Sequence, residues 1–320
     1  MKNYQIEKVS KSREYQVEQI SKTIGKTPLV YIEKSHDCNI CAKLEFLNLG
    51  GSIKSRTAYW MIKNALEDGV IDKNTVLIEA SSGNQGIGIS MIGAIMGFDV
   101  KIIMPENMSQ ERRQFISAYG AEIILTPAGE NIKEAIDNAI DKANELIEKN
   151  NNYYWLNQFA NKYNTEVHKL FTAKEIIDEL EKPVDFFISG IGTGGTITGI
   201  GTELKKIYPD CNVVAVEPER AAILQGGKMG HHIQQGIGDG LIPEILDINI
   251  IDEMIKISDE EARINAKRLA KKGFFAGFTS GSNISAAYKI AEKYPGSHIV
   301  TILPDGGGRY ITENIISPVN

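Results

Sequence analysis

Short β-branched runs alternate with amphipathic stretches along most of this chain, and no other feature narrows its fold as much. Candidate strands are Cys41–Phe46, Val76–Glu79, Val100–Met104, Glu122–Leu125, Tyr153–Leu156, Asp185–Ser189, Val213–Glu217 and His298–Leu303. Helical patterns fill the gaps, among them Asn131–Glu148, Thr165–Glu181 and Asp259–Lys272. The last opens on "SDEEA", a capping serine followed by an acidic first turn. Alternation of this kind predicts an α/β fold with parallel sheet covered on both faces. No internal repeat or low-complexity linker interrupts it.

In such sheets ligands bind beyond the carboxyl ends of the strands. The glycine-rich loops fall at those ends: "ASSGNQG" follows Val76–Glu79, "GIGTGGT" follows Asp185–Ser189, and "PDGGGR" follows His298–Leu303. A lysine, Lys54, follows Cys41–Phe46. Four loops on one rim predict a site.

The 320 residues suffice for two ordinary domains, and 42% hydrophobic with 24% charged residues are globular values. A net charge of −6 argues against nucleic acid or an anionic membrane surface as a partner. The N-terminus lacks the apolar stretch of a secretory leader, and no run approaches the ~18 apolar residues of a membrane span. A cytoplasmic setting is expected. Cys38 and Cys41 form a C-x-x-C, but no second pair accompanies them. They read as reduced thiols near a strand, and no metal site is expected.

"GGSIKSRTA" (50–58) puts Lys54 in the first turn of a helix, with Arg56 two residues on. That end of a helix carries partial positive charge and disfavours cations. A lysine that must attack as a neutral amine needs such surroundings. Both the helix terminus and Arg56 are expected to lower its pKa. A solvated surface lysine is the ordinary alternative.

"GIGTGG" (190–195) fits two phosphates. It matches the dinucleotide fingerprint G-x-G-x-x-G, and Glu217 ends the next strand as the acidic ribose partner would. Thr193 and Thr196 bracket the Gly194–Gly195 pair, a detail that favours a cup for one terminal monophosphate, since a dinucleotide pyrophosphate has less need of flanking hydroxyls. A phosphorylated cofactor, a frustrated lysine and a Ser/Asn loop together suggest pyridoxal phosphate.

At this point the motifs resemble those of the cysteine synthase/cystathionine β-synthase family of fold type II pyridoxal-phosphate enzymes. "TIGKTPLVYI" (23–32), "KLEFLNLGGSIKSR" (43–56), "SSGNQGIGIS" (81–90), "MPENMSQERR" (104–113), "GIGTGGTITG" (190–199), "VAVEP" (214–218) and "LPDGGGRY" (303–310) are similar to family motifs and keep their order. The resemblance implies the tryptophan-synthase β-like architecture of two parallel-sheet α/β domains, with pyridoxal 5'-phosphate in the cleft. It sets the nicotinamide-dependent oxidoreductase reading aside. It further implies that Lys54 forms the internal aldimine and serves as acid/base at the α-carbon. Asn84 would bind the ring hydroxyl, while Gly192, Thr193, Gly194, Gly195 and Thr196 would bind the phosphate. Ser81, Ser82, Gln85 and Gln158 would hold the substrate carboxylate, and Ser280 would face the ring nitrogen. Ser280 could also serve as a helix N-cap.

The chain departs from the family at Leu49 (usually proline), Ser55 (usually aspartate), Gln85 (usually threonine) and Asp239 (usually small and apolar). An acidic group there would repel a sulfide anion but could activate water or a thiol. Asp-Gly is also a common turn pair. With small amino acids as substrates, the expected reaction is β-replacement on L-cysteine through an aminoacrylate. It would release hydrogen sulfide and give lanthionine or serine. The alternative is a cysteine synthase using O-acetyl-L-serine and sulfide. The expected organisation is an arm (1–18), a smaller domain (48–160), a larger domain (19–47 plus 161–320), and a homodimer.

Overall fold

The computed structural model describes residues 15–81, 83–108, 110–313 and 315. Most of the expected arm, and Ser82, lie outside the described residues. Among the described residues two sheets form. The larger has six strands in the order β1-β2-β10-β7-β8-β9, and the smaller has four in the order β5-β4-β3-β6. The large-sheet strands are β1 (Leu29–Lys34), β2 (Asn39–Leu44), β7 (Phe186–Gly190), β8 (Asn212–Pro218), β9 (Glu253–Ile257) and β10 (His298–Leu303). The small-sheet strands are β3 (Val76–Ala80), β4 (Asp99–Pro105), β5 (Glu122–Thr126) and β6 (Tyr153–Trp155). All neighbours pair parallel except β1 with β2. The molecule therefore consists of two parallel-sheet α/β domains, the larger with one antiparallel edge strand.

The central strands β2 and β10 are buried along their whole length, as parallel strands covered on both faces must be. The helices are α1 (Lys54–Glu67), α2 (Asn84–Met96), α3 (Gln110–Ala118), α4 (Ile132–Lys149), α5 (Lys162–Val167), α6 (Ala173–Glu179), α7 (Gly195–Ile207), α8 (Asp259–Lys271) and α9 (Phe278–Lys293). α4 turns Ala135, Ala139 and Ala143 inward at four-residue spacing, the stripe of a helix lying on a sheet. α2 is apolar all round and mostly buried. α8 opens on the expected reciprocal cap: Ser258 Oγ accepts the Glu261 N–H at 3.2 Å, and the Glu261 carboxylate accepts the Ser258 N–H at 2.8 Å.

The structure corrects several elements. β1 and β9 are edge strands that the sequence reading left out. The expected strand Cys41–Phe46 stops at Leu44, because Glu45–Leu47 forms a 3₁₀ turn that carries the Glu45 carboxylate inward. The expected helix Thr165–Glu181 is instead α5 and α6 joined through a π turn, His168–Thr172. It starts earlier because the Asn161 side chain accepts the Tyr163 N–H at 3.0 Å.

Candidate active site

A cavity of about 420 Å³ opens where the carboxyl ends of both sheets face each other. The loops after β3, β4, β7 and β10 line it, together with the start of α1. Lys54, Ser81, Asn84, Gln85, Gln158, Gly192, Thr193, Gly194, Thr196 and Asp239 all reach its wall.

Lys54 begins α1 behind Ile53, a residue with no capping side chain. Its Nζ donates to Thr193 Oγ1 at 3.4 Å, across from one domain to the other. Burial lowers its pKa to about 8, while the carboxyl groups of Asp239 and Glu79 pull it back up. The expectation for Arg56 needs correcting. Its guanidinium turns away from the cavity, to Glu45 at 2.7 and 2.8 Å and to Glu175 at 2.7 Å through both terminal nitrogens. Burial alone would raise the Glu45 pKa; the Arg56 charge outweighs it and holds the carboxyl below its ordinary range. Lys43, fully buried, adds ion pairs to Glu175 at 3.1 Å and Glu179 at 2.6 Å. Arg56 is thus neutralised beneath the lysine rather than pressing on it. Ser55 Oγ donates to the Leu49 carbonyl, so two departures from the family touch each other.

The loop after β7 brings bare backbone to the cavity. A Cβ on Gly192 would sit 2.2 Å from the Gly236 carbonyl oxygen, and Gly194 adopts φ +79° as the N-cap of α7. No side chain caps α7, so its first N–H groups are available to an anion. Thr196 Oγ1 lies 3.4 Å from Nε2 of the buried His168, on the π turn. Ser280 is not on the cavity wall, which its neighbour Thr279 reaches; its Oγ is fully buried with no hydrogen-bond partner. Ser280 stands inside the first turn of α9, whose N-cap is Gly277, so it is no cap. An uncapped thirteen-residue helix behind a glycine loop and an orphaned hydroxyl fit a ring that carries a phosphate monoester.

The other expected residues are placed unequally. Asn84 begins α2 with its amide already engaged: Nδ2 donates to Asp305 Oδ2 at 2.7 Å, and Oδ1 accepts from Arg309 Nη1 at 2.6 Å. Ser81 Oγ accepts the N–H of Gly83 at 3.3 Å and of Gly86 at 3.1 Å, which shapes the loop. Gln85 turns its amide toward α1, where Oε1 accepts from Thr57 Oγ1 at 2.7 Å. The Gln158 backbone is held from both sides, its N–H by Glu79 Oε1 at 3.3 Å and its carbonyl by Asn164 Nδ2 at 2.7 Å.

Asp239 sits in a loop whose bends are made by glycines, with φ +93° at Gly236, +69° at Gly238 and +80° at Gly240. The Gly238 N–H donates to the Ile191 carbonyl at 3.0 Å, and the Gly238 carbonyl lies 3.1 Å from His232 Nε2. Burial raises the Asp239 pKa, opposed by the charges of His232 and Lys54. The expected cysteines are a buried thiol on β2, Cys41, pushed up to about 11 by burial, and a half-buried Cys38. Sequence reasoning missed Glu79, Asn164, Asp305 and Arg309; only the last two stood in a loop already assigned to the rim, "PDGGGR".

The family model described as pyridoxal-phosphate dependent enzyme matches residues 20–305. Cysteine synthase B of Campylobacter jejuni is 42% identical over 300 residues, covering 94% of this chain and 99% of the relative. A hydrogen sulfide-producing enzyme from Fusobacterium nucleatum superposes with a TM-score of 0.86 at 37% identity, over 91% of this chain and 97% of its own. A second hydrogen sulfide-producing enzyme aligns with a TM-score of 0.89 at 33% identity, over 95% of this chain and 93% of its own. It was solved as an aspartate-to-asparagine variant in complex with an α-aminoacrylate intermediate. These likenesses exclude the dinucleotide reading of "GIGTGG" and make pyridoxal phosphate the cofactor. By its motifs, its two-domain fold and these relatives, the chain belongs to the pyridoxal-phosphate dependent enzymes of the cysteine synthase family.

Proposed function

We propose that this enzyme carries out β-replacement on L-cysteine, expelling sulfide and adding either water, to give serine, or the thiol of a second cysteine, to give lanthionine. The observation that carries this reading is Asp239, a carboxylate on the cavity wall beside the glycine loop and within the electrostatic reach of Lys54. The likeness to two hydrogen sulfide-producing enzymes supports it.

Pyridoxal phosphate supplies, when bound, a carbonyl for the substrate amine and an electron sink for the bond broken at the α-carbon. Gly192, Thr193, Gly194, Gly195 and Thr196 would hold its phosphate, and Asn84 its ring hydroxyl. Ser280 would face the ring nitrogen; a hydroxyl there holds a proton less firmly than a carboxylate, which suits elimination over transamination. Lys54 Nζ takes the α-proton and returns it after addition. Ser81, Ser82, Gln85 and Gln158 would orient the carboxylate. Asp239 accepts the proton of the incoming water or thiol after sulfide has left. We read the working unit as a homodimer.

Cysteine synthesis from O-acetylserine and sulfide is the second reading, favoured by the 42% identity to a cysteine synthase. Incubation of the holoenzyme with L-cysteine alone, followed by sulfide assay and mass spectrometry of products, separates the two. Sulfide with serine or lanthionine supports the first. No sulfide from cysteine, with brisk cysteine formation from O-acetylserine, overturns it.

A further inference from the structure

Asn164 lies behind the cup in α5, fully buried. Its Nδ2 donates to the Gln158 carbonyl at 2.7 Å and to Thr193 Oγ1 at 3.0 Å. An amide nitrogen has two hydrogens, so both are committed. The Gln158 carbonyl can only accept, which fixes the amide's orientation. Thr193 Oγ1 receives a second donor, Lys54 Nζ, at 3.4 Å. A hydroxyl has two lone pairs and one hydrogen. The Asn164 amide holds one lone pair whatever the state of Lys54, so Thr193 cannot donate back to that amide and its hydrogen is left for the cup. Asn164 Oδ1 is buried without a partner, 2.4 Å from the point that a Cβ on Gly195 would occupy. The side chain is therefore wedged against the glycine that starts α7.

We propose that Asn164 is a positioning residue: it sets the Thr193 hydroxyl as a donor toward a bound phosphate and ties that setting to the Gln158 backbone on the substrate side. The inference rests on reading Gly192–Thr196 as the phosphate cup. A packing residue would affect every ligand of the cavity alike. A residue acting through Thr193 affects only ligands that bear a phosphate.

Cofactor-free protein titrated with pyridoxal 5'-phosphate, and separately with pyridoxal, reads this difference by absorbance. The parent should bind the phosphate-bearing form far more tightly. Asn164→Ala should weaken pyridoxal phosphate about tenfold to a hundredfold, the worth of a hydrogen bond to a charged group, and leave pyridoxal within about twofold. Thr193→Val should cost little more in the Asn164→Ala background, because the hydroxyl has already lost its setting. Asn164→Leu keeps the bulk, loses the donors and adds no charge beside the phosphate; it should show the same selective loss and serves if the alanine variant does not fold. Equal weakening of both ligands in either variant, or full additivity with Thr193→Val, overturns the inference. A parent that binds pyridoxal as tightly as pyridoxal phosphate overturns the cup itself, and the inference with it.

Discussion

Lys54 and Arg56 stand two residues apart on α1, yet the molecule treats their charges in opposite ways. Lys54 faces the cavity, and burial brings its pKa down to about 8. Arg56 faces the interior beneath, where Glu45 and Glu175 hold its guanidinium through four hydrogen bonds of 2.7–2.8 Å. One cation is made easy to discharge; the other is fixed as a cation. The difference teaches that the helix terminus sets neither outcome by itself. Burial decides the first against the pull of Asp239 and Glu79, and the carboxylates brought in from other elements decide the second.

This contrast can be broken or sharpened experimentally. The largest effect expected is complete loss of turnover in Lys54→Met, with higher stability of the cofactor-free protein by about 0.5–2 kcal/mol because a costly buried amine is gone. Residual turnover, or a lower melting temperature, would contradict that account. Asp239→Asn should release sulfide promptly from cysteine and then stall, with steady turnover down ~10²–10⁴-fold. Stopped-flow sulfide detection against product assay reads both phases, and parental turnover would reduce Asp239 to a loop former. Arg56→Met should lower stability by about 3–5 kcal/mol, since Glu45 is left buried and unpaired. Urea melts measure this; a loss below about 1 kcal/mol would mean that the network is wetter than drawn.

The smallest effect is a pH midpoint. Cofactor uptake by cofactor-free protein should rise with pH through about 8 as Lys54 becomes neutral. Asp239→Asn should move that midpoint down, because the carboxylate stabilises the ammonium form. Arg56→Met should leave it in place. A shift in the second variant and none in the first would reverse the roles of the two charges.

Much of this was legible in the sequence where the constraint is local. "GIGTGGT" requires bare backbone at a strand-to-helix turn, so its neighbours in sequence already define it. The end of β7 was legible for the same reason, an apolar run that stops at glycine, whereas β2 ends two residues short of the run expected at Cys41–Phe46. What was not legible depends on partners far along the chain. Arg56 pairs with Glu45, 11 residues away, but also with Glu175, 119 away. Asn84 is clamped by Asp305 and Arg309, 221 and 225 residues on. Nothing in "GGSIKSRTA" announces that Arg56 turns its back on Lys54. The edge strands β1 and β9 escaped for a related reason: half-buried and partly charged, they lack the continuous apolar run of the central strands.

The loop that carries Asp239 has a consequence for how such an enzyme changes over generations. Its shape comes from Gly236, Gly238 and Gly240 and from two backbone contacts at Gly238. None of these uses the Asp239 side chain. If Asp239 acts as proposed, position 239 is a place where the reacting partner can be exchanged without rebuilding the scaffold. A lineage could cross between adding sulfide and expelling it by one substitution, at little cost in folding, while the glycines on either side stay under strict constraint.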